Sequence, residues 1–336
     1  MIKELSDSRI RPTLVSDYFC NQTMNTTIPP FNQIKDPIPP RWLSGGNRET
    51  LYAKALQRPT PMYRRELLPD SFGEDDVAYD FVDSADPNAP CVVLFHGLEG
   101  SSHSHYAVEL MYAVQELGWN GVVAHFRSCS GVKSKRTYHS GDTREAAHTL
   151  NLLAQRYPTL YAAGVSMGGN VLAKYLGEQG DKALPKAAVT ISTPFDLQAA
   201  GDALEQGIPR LLYTQYFLSS LLKKVPPADH KIKSLGDFDN TYTAPLHGFT
   251  DREDYYRRAS AKPYLRDIAV PTLLINAKND PFVPAWSLPT MQDVSGCVQL
   301  MQPEHGGHVG FVTGSGRGNL RWLPETVLSF FLKQAA

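Results

Sequence analysis

Apolar positions in this chain fall into short unbroken runs, separated by stretches of helical period. Cys91-Val92-Val93-Leu94-Phe95 is apolar at every position. Such a strand has both faces covered, as inside a parallel sheet. The same texture returns at 121–126, 187–192, 272–276 and 298–301, and in the strand that ends at Val165. Between these runs, 106–117 and 143–156 read as helices, and 325–333 reads as a closing helix. Strand-helix alternation points to a parallel α/β sheet. Ahead of it, 64–68 and the alternating 77–82 lie beside turn signals at 69–73 and 86–90. They predict two antiparallel strands at one edge. The sum is a mostly parallel sheet of about eight strands flanked by helices, with a helical insertion.

The rhythm breaks in two places. Residues 1–28 are polar without sustained period and read as an N-terminal extension. Pro29-Pro30, Pro37 and Pro39-Pro40 then mark an extended segment, followed by a helix over 49–56. Between Pro194 and Pro263 the alternation stops. An apolar helix over 211–222 and a polar, aromatic stretch over 242–264 stand between two core strands. The expected organisation is a core over 29–196 and 263–336, with 197–262 as a cap above the site.

Composition narrows this little. The chain has 336 residues with a formal net charge of −1, so no overall field favours nucleic acid. No apolar run approaches a membrane span, which argues against stable membrane insertion. The first residues lack a signal-peptide core, which predicts a soluble cytoplasmic protein. The sequons at Asn21 and Asn25 then carry no weight. Cys20, Cys91, Cys129 and Cys297 have no metal or disulfide spacing, and Cys91 and Cys297 are expected in the core.

The chemistry centres on Gly164-Val165-Ser166-Met167-Gly168. A G-x-S-x-G between a buried strand and a helix is a nucleophile elbow, a sharp turn that lifts the serine hydroxyl clear of the sheet. A serine needs a base, and the base needs a carboxylate. Downstream, Asp280 follows the apolar run 272–276, and His308 lies in the glycine-rich 305–311 after the last strand. Loops at the carboxyl ends of parallel strands share one edge, so Ser166, Asp280 and His308 are expected to converge. Asp196 is the rival acid and His305 the rival base. His308 is preferred because Gly306, Gly307 and Gly310 allow close backbone approach. Backbone N–H groups of Met167 and Leu98 are the expected oxyanion hole, Leu98 through its place in 96–102 after the third strand. Asp142 or Thr143 reads as a helix N-cap, and Arg127 and Cys129 either line the pocket or, the preferred reading, brace its loops. Leu211, Leu212, Tyr213, Tyr216 and Phe217 would form either an acyl-binding pocket or the core of the cap. No metal or organic cofactor is called for. An aspartate would stand at 166 in a dehalogenase or epoxide hydrolase.

These stretches, together with Tyr138-His139-Ser140-Gly141-Asp142-Thr143, resemble the YheT-like hydrolases of the α/β-hydrolase superfamily from about Pro40 to the closing helix. The resemblance implies Ser166 as nucleophile, Asp280 as acid and His308 as base. It implies hydrolysis of carboxylic or lipid esters, with a small-molecule acyl ester as substrate. An acyltransferase with an alcohol acceptor is the alternative, and a non-catalytic binding protein on the same scaffold the remaining one. The chain departs from the family at Ser128, where glycine is usual, and at Asn47 and Glu49, where relatives tend to have histidine and glutamine. These departures bear on loop conformation and pocket shape.

Overall fold

The computed structural model describes residues 28–335. The predicted extension over 1–28 therefore lies outside the described residues, Ile28 apart, as do Cys20, Asn21 and Asn25. Eight strands form one sheet: β1 (Arg64–Pro69), β2 (Asp76–Val82), β3 (Cys91–Phe95), β4 (Asn120–Ala124), β5 (Leu160–Val165), β6 (Ala187–Ile191), β7 (Thr272–Ile275) and β8 (Val298–Met301). Their order is β1-β2-β4-β3-β5-β6-β7-β8. β1 and β2 are antiparallel additions at one edge, and all pairings from β4 to β8 are parallel.

The unbroken apolar runs divide by parity. Val93 and Phe95 of β3, Val122 of β4 and Ala162 of β5 face one layer, where Leu150 of α3 (Thr143–Ala154) and Leu172 of α4 (Met167–Gln179) meet them. Val92, Leu94, Val123 and Ala163 face the other, against α2 (His105–Glu116) and the closing helix Trp322–Ala335. Cys91 is buried as expected, but Cys297 is exposed. It precedes β8, an edge strand whose run is only half covered.

The chain steps from β3 out to β4, then crosses back over β3 to β5. Loops leaving β3 and β5 therefore diverge and open a crevice at the carboxyl edge. Helix α1 (Gly46–Ala55) crosses this edge. Between β6 and β7 the insertion contributes α5 (Leu197–Leu204), helical runs over 207–224 and 235–246, and the helix Arg252–Ala259. Both runs contain a π-helical turn, at Arg210–Thr214 and Asp239–Thr243. Among the described residues, no helix is long and apolar enough to cross a membrane.

Candidate active site

Ser166 stands between β5 and α4 at φ 52°, ψ −119°. A residue with a side chain rarely adopts positive φ, so the surroundings must hold it there. Its N–H donates to Ile191 O at 2.8 Å, and its carbonyl accepts from Asn170 N at 3.1 Å. The flanking glycines are required by contact. A Cβ on Gly164 would stand 2.6 Å from Gly168 O, and one on Gly168 would stand 2.4 Å from Phe95 O. The turn can close only without those carbons.

Asp280, in the loop after β7, and His308, in the loop after β8, meet this serine. His308 Nδ1 lies 2.9 Å from Asp280 Oδ2, and His308 Nε2 lies 3.0 Å from Ser166 Oγ. The buried Asp280 carboxylate accepts only at Oδ2 and Oδ1, so Nδ1 carries the proton and Nε2 is free to accept. Oδ1 takes the N–H groups of Phe282 at 2.7 Å and Val283 at 3.3 Å, which fixes the carboxylate. The Phe282 ring stacks on His308, with centroids 4.1 Å apart. The rivals lie elsewhere. Asp196 caps α5 by accepting from Ala199 N, and His305 turns to Glu49, with Nδ1 3.4 Å from Oε1.

What holds the acid and base loops together was not visible in the sequence. It is α1. Glu49 is buried, 1% exposed. Its Oε1 accepts from Asn279 Nδ2 at 2.9 Å, one residue before the acid, and its Oε2 accepts from Gly306 N at 2.6 Å, two residues before the base. Asn279 Oδ1 in turn accepts from Gly307 N at 2.9 Å. One helical position on from Glu49, Thr50 Oγ1 accepts the His308 N–H at 2.8 Å and donates to Gly46 O at 2.6 Å. The base loop needs this clamp, because Val309 and Phe311 sit at φ 61° and 42°. Ser192 Oγ accepts from Val309 N, and His105 Nε2 lies 2.9 Å from Val309 O. Asn47 accepts from Tyr213 OH at 3.1 Å, tying α1 to the insertion.

The loop after β3 is pinned by neutral histidines. His96 is fully buried, with Nδ1 2.7 Å from Gly97 O and Nε2 accepting from Phe126 N at 3.2 Å. Burial pushes its imidazole down to about 3, and pushes that of His125, which accepts from Ser102 N, down to about 4. Glu99, at φ 54°, joins this loop to the insertion. Its carboxylate accepts from Lys224 Nζ at 2.5 Å, from Tyr138 OH at 2.6 Å and from Ser220 Oγ. Among the described residues, no backbone acceptor takes the N–H of Leu98 or Met167.

Two cavities meet at Ser166. One, of about 130 Å³, runs under the insertion past Leu98, Met167, Leu197, Phe217, Leu221 and Phe282. The other, of about 350 Å³, passes polar groups of Lys54, Gln57, Ser101, His103 and Ser104. Phe217 borders both, and Tyr216 borders the second. Tyr213 is buried against Phe282, with rings 4.5 Å apart. Leu211 and Leu212 belong to neither pocket nor core: they are 76% and 46% exposed. The π-turn at Arg210–Thr214 shifts the phase of the helix, so the apolar period misplaces them.

Other sequence readings fall as follows. Asp142 caps α3 by accepting from Glu145 N. Arg127 is a buried brace, ion-paired to Asp142, Glu145 and Asp70, and lines neither cavity. Cys129 is packed in the core, 3.3 Å from Lys224 Nζ. Ser128 holds φ 59°, which accounts for the glycine usual in the family. Asn170, one of the motif residues, bridges Ser140 O, Ala259 O and Ala261 N, joining α4 to both flanking loops.

Comparison with known proteins bears on the family and the fold. Residues 90–224 match the family model described as alpha/beta hydrolase fold. The chain is 37% identical to YheT of Escherichia coli over 91% of its own length and 96% of that protein. It is 30% identical to Phospholipase ABHD3 of Homo sapiens, over 82% of the chain and 73% of that protein. Among solved structures, Est1E of Butyrivibrio proteoclasticus superposes with a TM-score of 0.53 at 15% identity, covering 82% of this chain and 99% of that one, a likeness of fold. The sheet order, the serine at the strained elbow and these relatives together place the chain in the YheT-like family of α/β-hydrolases, enzymes of the esterase and lipase type.

Proposed function

We propose that this chain hydrolyses carboxylic esters of apolar acyl groups through an acyl-enzyme on Ser166. The observation that carries the reading is the unbroken relay from Asp280 through His308 to Ser166, at 2.9 and 3.0 Å, where two cavities of different character meet. Ser166 Oγ attacks the acyl carbon as His308 Nε2 takes its proton. Asp280 Oδ2 holds the Nδ1 proton and offsets the imidazolium charge. The carbonyl oxygen becomes an oxyanion, and the N–H groups of Leu98 and Met167 are the donors that would hold it, with the positive end of α4 behind them. When the tetrahedral intermediate collapses, Nε2 returns the proton to the leaving alcohol. Water enters by the same path in reverse, with His308 as base, and releases the acid.

The apolar cavity suits the acyl chain and the polar cleft suits the alcohol, since burial of an unpaired hydroxyl would be costly. In this reading residues 197–262 act as the cap, because Phe217, Leu221 and Phe238 supply one wall of the acyl cavity. Labelling with a fluorophosphonate probe followed by peptide mapping tests the nucleophile: the adduct is expected on Ser166, and an adduct elsewhere or none would contradict it. Product analysis with added alcohols separates water from alcohol as acceptor. Free acid is expected to dominate, and a dominant new ester would assign the acyltransferase alternative.

A further inference from the structure

The helical run 207–224 exposes apolar side chains that the catalytic reading does not use. Ile208 is 56% exposed, Leu211 76%, Leu212 46% and Tyr216 56%. All four lie on one helical run and are exposed together, which makes them its outward apolar stripe. Two neighbours extend it. Trp286, 76% exposed, stands on the turn Ala285–Ser287, and residues on either side of that turn, Val283 and Leu288, share a buried cluster with Tyr213 of the run. Leu51, 44% exposed, stands on α1, whose Lys54 places its ammonium 4.7 Å over the Tyr216 ring. Single exposed leucines need no explanation, but a contiguous apolar face does.

Cations are frequent along this face, although Asp202, Glu205 and Asp229 flank the run at its two ends. From Gln206 to Ala228 the chain has no Asp or Glu and carries Arg210, Lys223 and Lys224. Lys224 is committed to Glu99, which leaves Arg210 and Lys223 exposed. On α1, Arg48, Leu51 and Lys54 recur at three-residue spacing and are all exposed. A whole chain of net charge −1 thus carries exposed cations beside this apolar stripe. An amphipathic helix with exposed Leu, Ile and aromatic residues and basic flanks is built to lie in a lipid interface. A second copy of the chain would bring a like-charged face against this one, which a two-fold contact disfavours.

The face is also continuous with the site. Leu51, Lys54 and Tyr216 belong both to the stripe or its flank and to the polar cleft that reaches Ser166. We infer that the face formed by the run 207–224, the Trp286 turn and the outer side of α1 docks on the surface of an anionic lipid bilayer. Docked in this way, the cleft opens toward the headgroup layer, and an ester can pass from the bilayer to Ser166 without crossing bulk water. The use of the surface for substrate delivery rests on the proposed ester hydrolysis, whereas the binding itself does not.

The test uses the full chain carrying Ser166→Ala, so that binding is read without turnover. It is sedimented with vesicles of phosphatidylcholine alone and of phosphatidylcholine mixed with phosphatidylglycerol. Binding to the mixed vesicles is expected, weakening as salt is added, with far less on phosphatidylcholine alone. Leu211→Glu and Trp286→Ser each remove apolar contact at highly exposed positions that line neither cavity, and each should lower partitioning about tenfold. Arg210→Gln with Lys223→Gln leaves the apolar stripe intact and should erase most of the preference for the anionic mixture. In the Ser166 background, all these variants should hydrolyse a water-soluble acetate ester at the wild-type rate. Absence of binding to the mixed vesicles, or variants that bind like the parent, would overturn the inference. So would a dimer in light scattering that Leu211→Glu dissolves, since the face would then belong to a second copy. A wild-type protein that binds vesicles but turns over no ester would overturn the catalytic reading and leave the docking surface standing.

Discussion

At the carboxyl edge of the sheet, Ser166, Ser192, Val309 and Phe311 all hold positive φ, and buried polar groups reach across three or four elements to keep them there. In the insertion over 197–262, helices are short, two π-turns interrupt them, and apolar side chains face outward. The first region stores strain and over-determines it, as a reaction geometry requires. The second is anchored at a few points, among them Glu99–Lys224, Asn47–Tyr213 and the Asn170 bridge to Ala259. The contrast separates two tasks. In the proposed reading chemistry depends on the rigid edge and selection among substrates on the insertion, which reaches the relay through Tyr213 packed on Phe282.

The largest effect should come from breaking the brace beneath the relay. Glu49→Ala removes the acceptor shared by Asn279 and Gly306 and should lower kcat about 30-fold, with KM changed less than about 2-fold. Glu49→Gln keeps one acceptor and should restore part of that loss. A KM that rises while kcat holds would mean that Glu49 shapes the pocket rather than positioning the relay. A change in the insertion should act on the other axis. Leu221→Trp fills part of the apolar cavity, so kcat/KM for long-chain esters should fall about tenfold and that for acetate esters much less. Equal losses across a chain-length series would contradict the assignment of that cavity to the acyl group.

A separate effect is on stability against pH. His96, His105 and His125 are held neutral mainly by burial and bind a proton only near 3, 4 and 4 when folded. The unfolded chain protonates them near pH 6.5, so it takes up more protons as pH falls. Stability should therefore be full above about pH 6.5 and decline toward about pH 4, by up to ~1.4 kcal/mol per pH unit for each histidine. Asp239, pushed up to about 6 chiefly by burial, acts with the opposite sign and offsets part of this. Urea denaturation at neutral and mildly acidic pH would measure the slope, and a flat profile would refute the neutral assignments.

Much of the fold was legible because a strand covered on both faces is mostly apolar, and β3 to β7 are buried at every position. That Ser166, Asp280 and His308 come together was legible because their motifs are local and each follows a strand at the same edge. The brace was not. Glu49 and Gly306 are 257 positions apart, and although Glu49 stood out as a departure from the family, nothing in the sequence says which loops it joins. Leu211 and Leu212 were misplaced for a related reason, since helical period shows that a face is apolar but not what that face meets. Cys297 was expected inside because the run after it is apolar, yet the run is an edge strand.

The most direct test of the account is hydrolysis of p-nitrophenyl esters from acetate to palmitate by the wild type and by Ser166→Ala. The relay geometry predicts turnover in the wild type that falls by at least ~10³-fold in the variant at every chain length. Undiminished turnover by Ser166→Ala would show that the nucleophile lies elsewhere and would contradict the account at its centre.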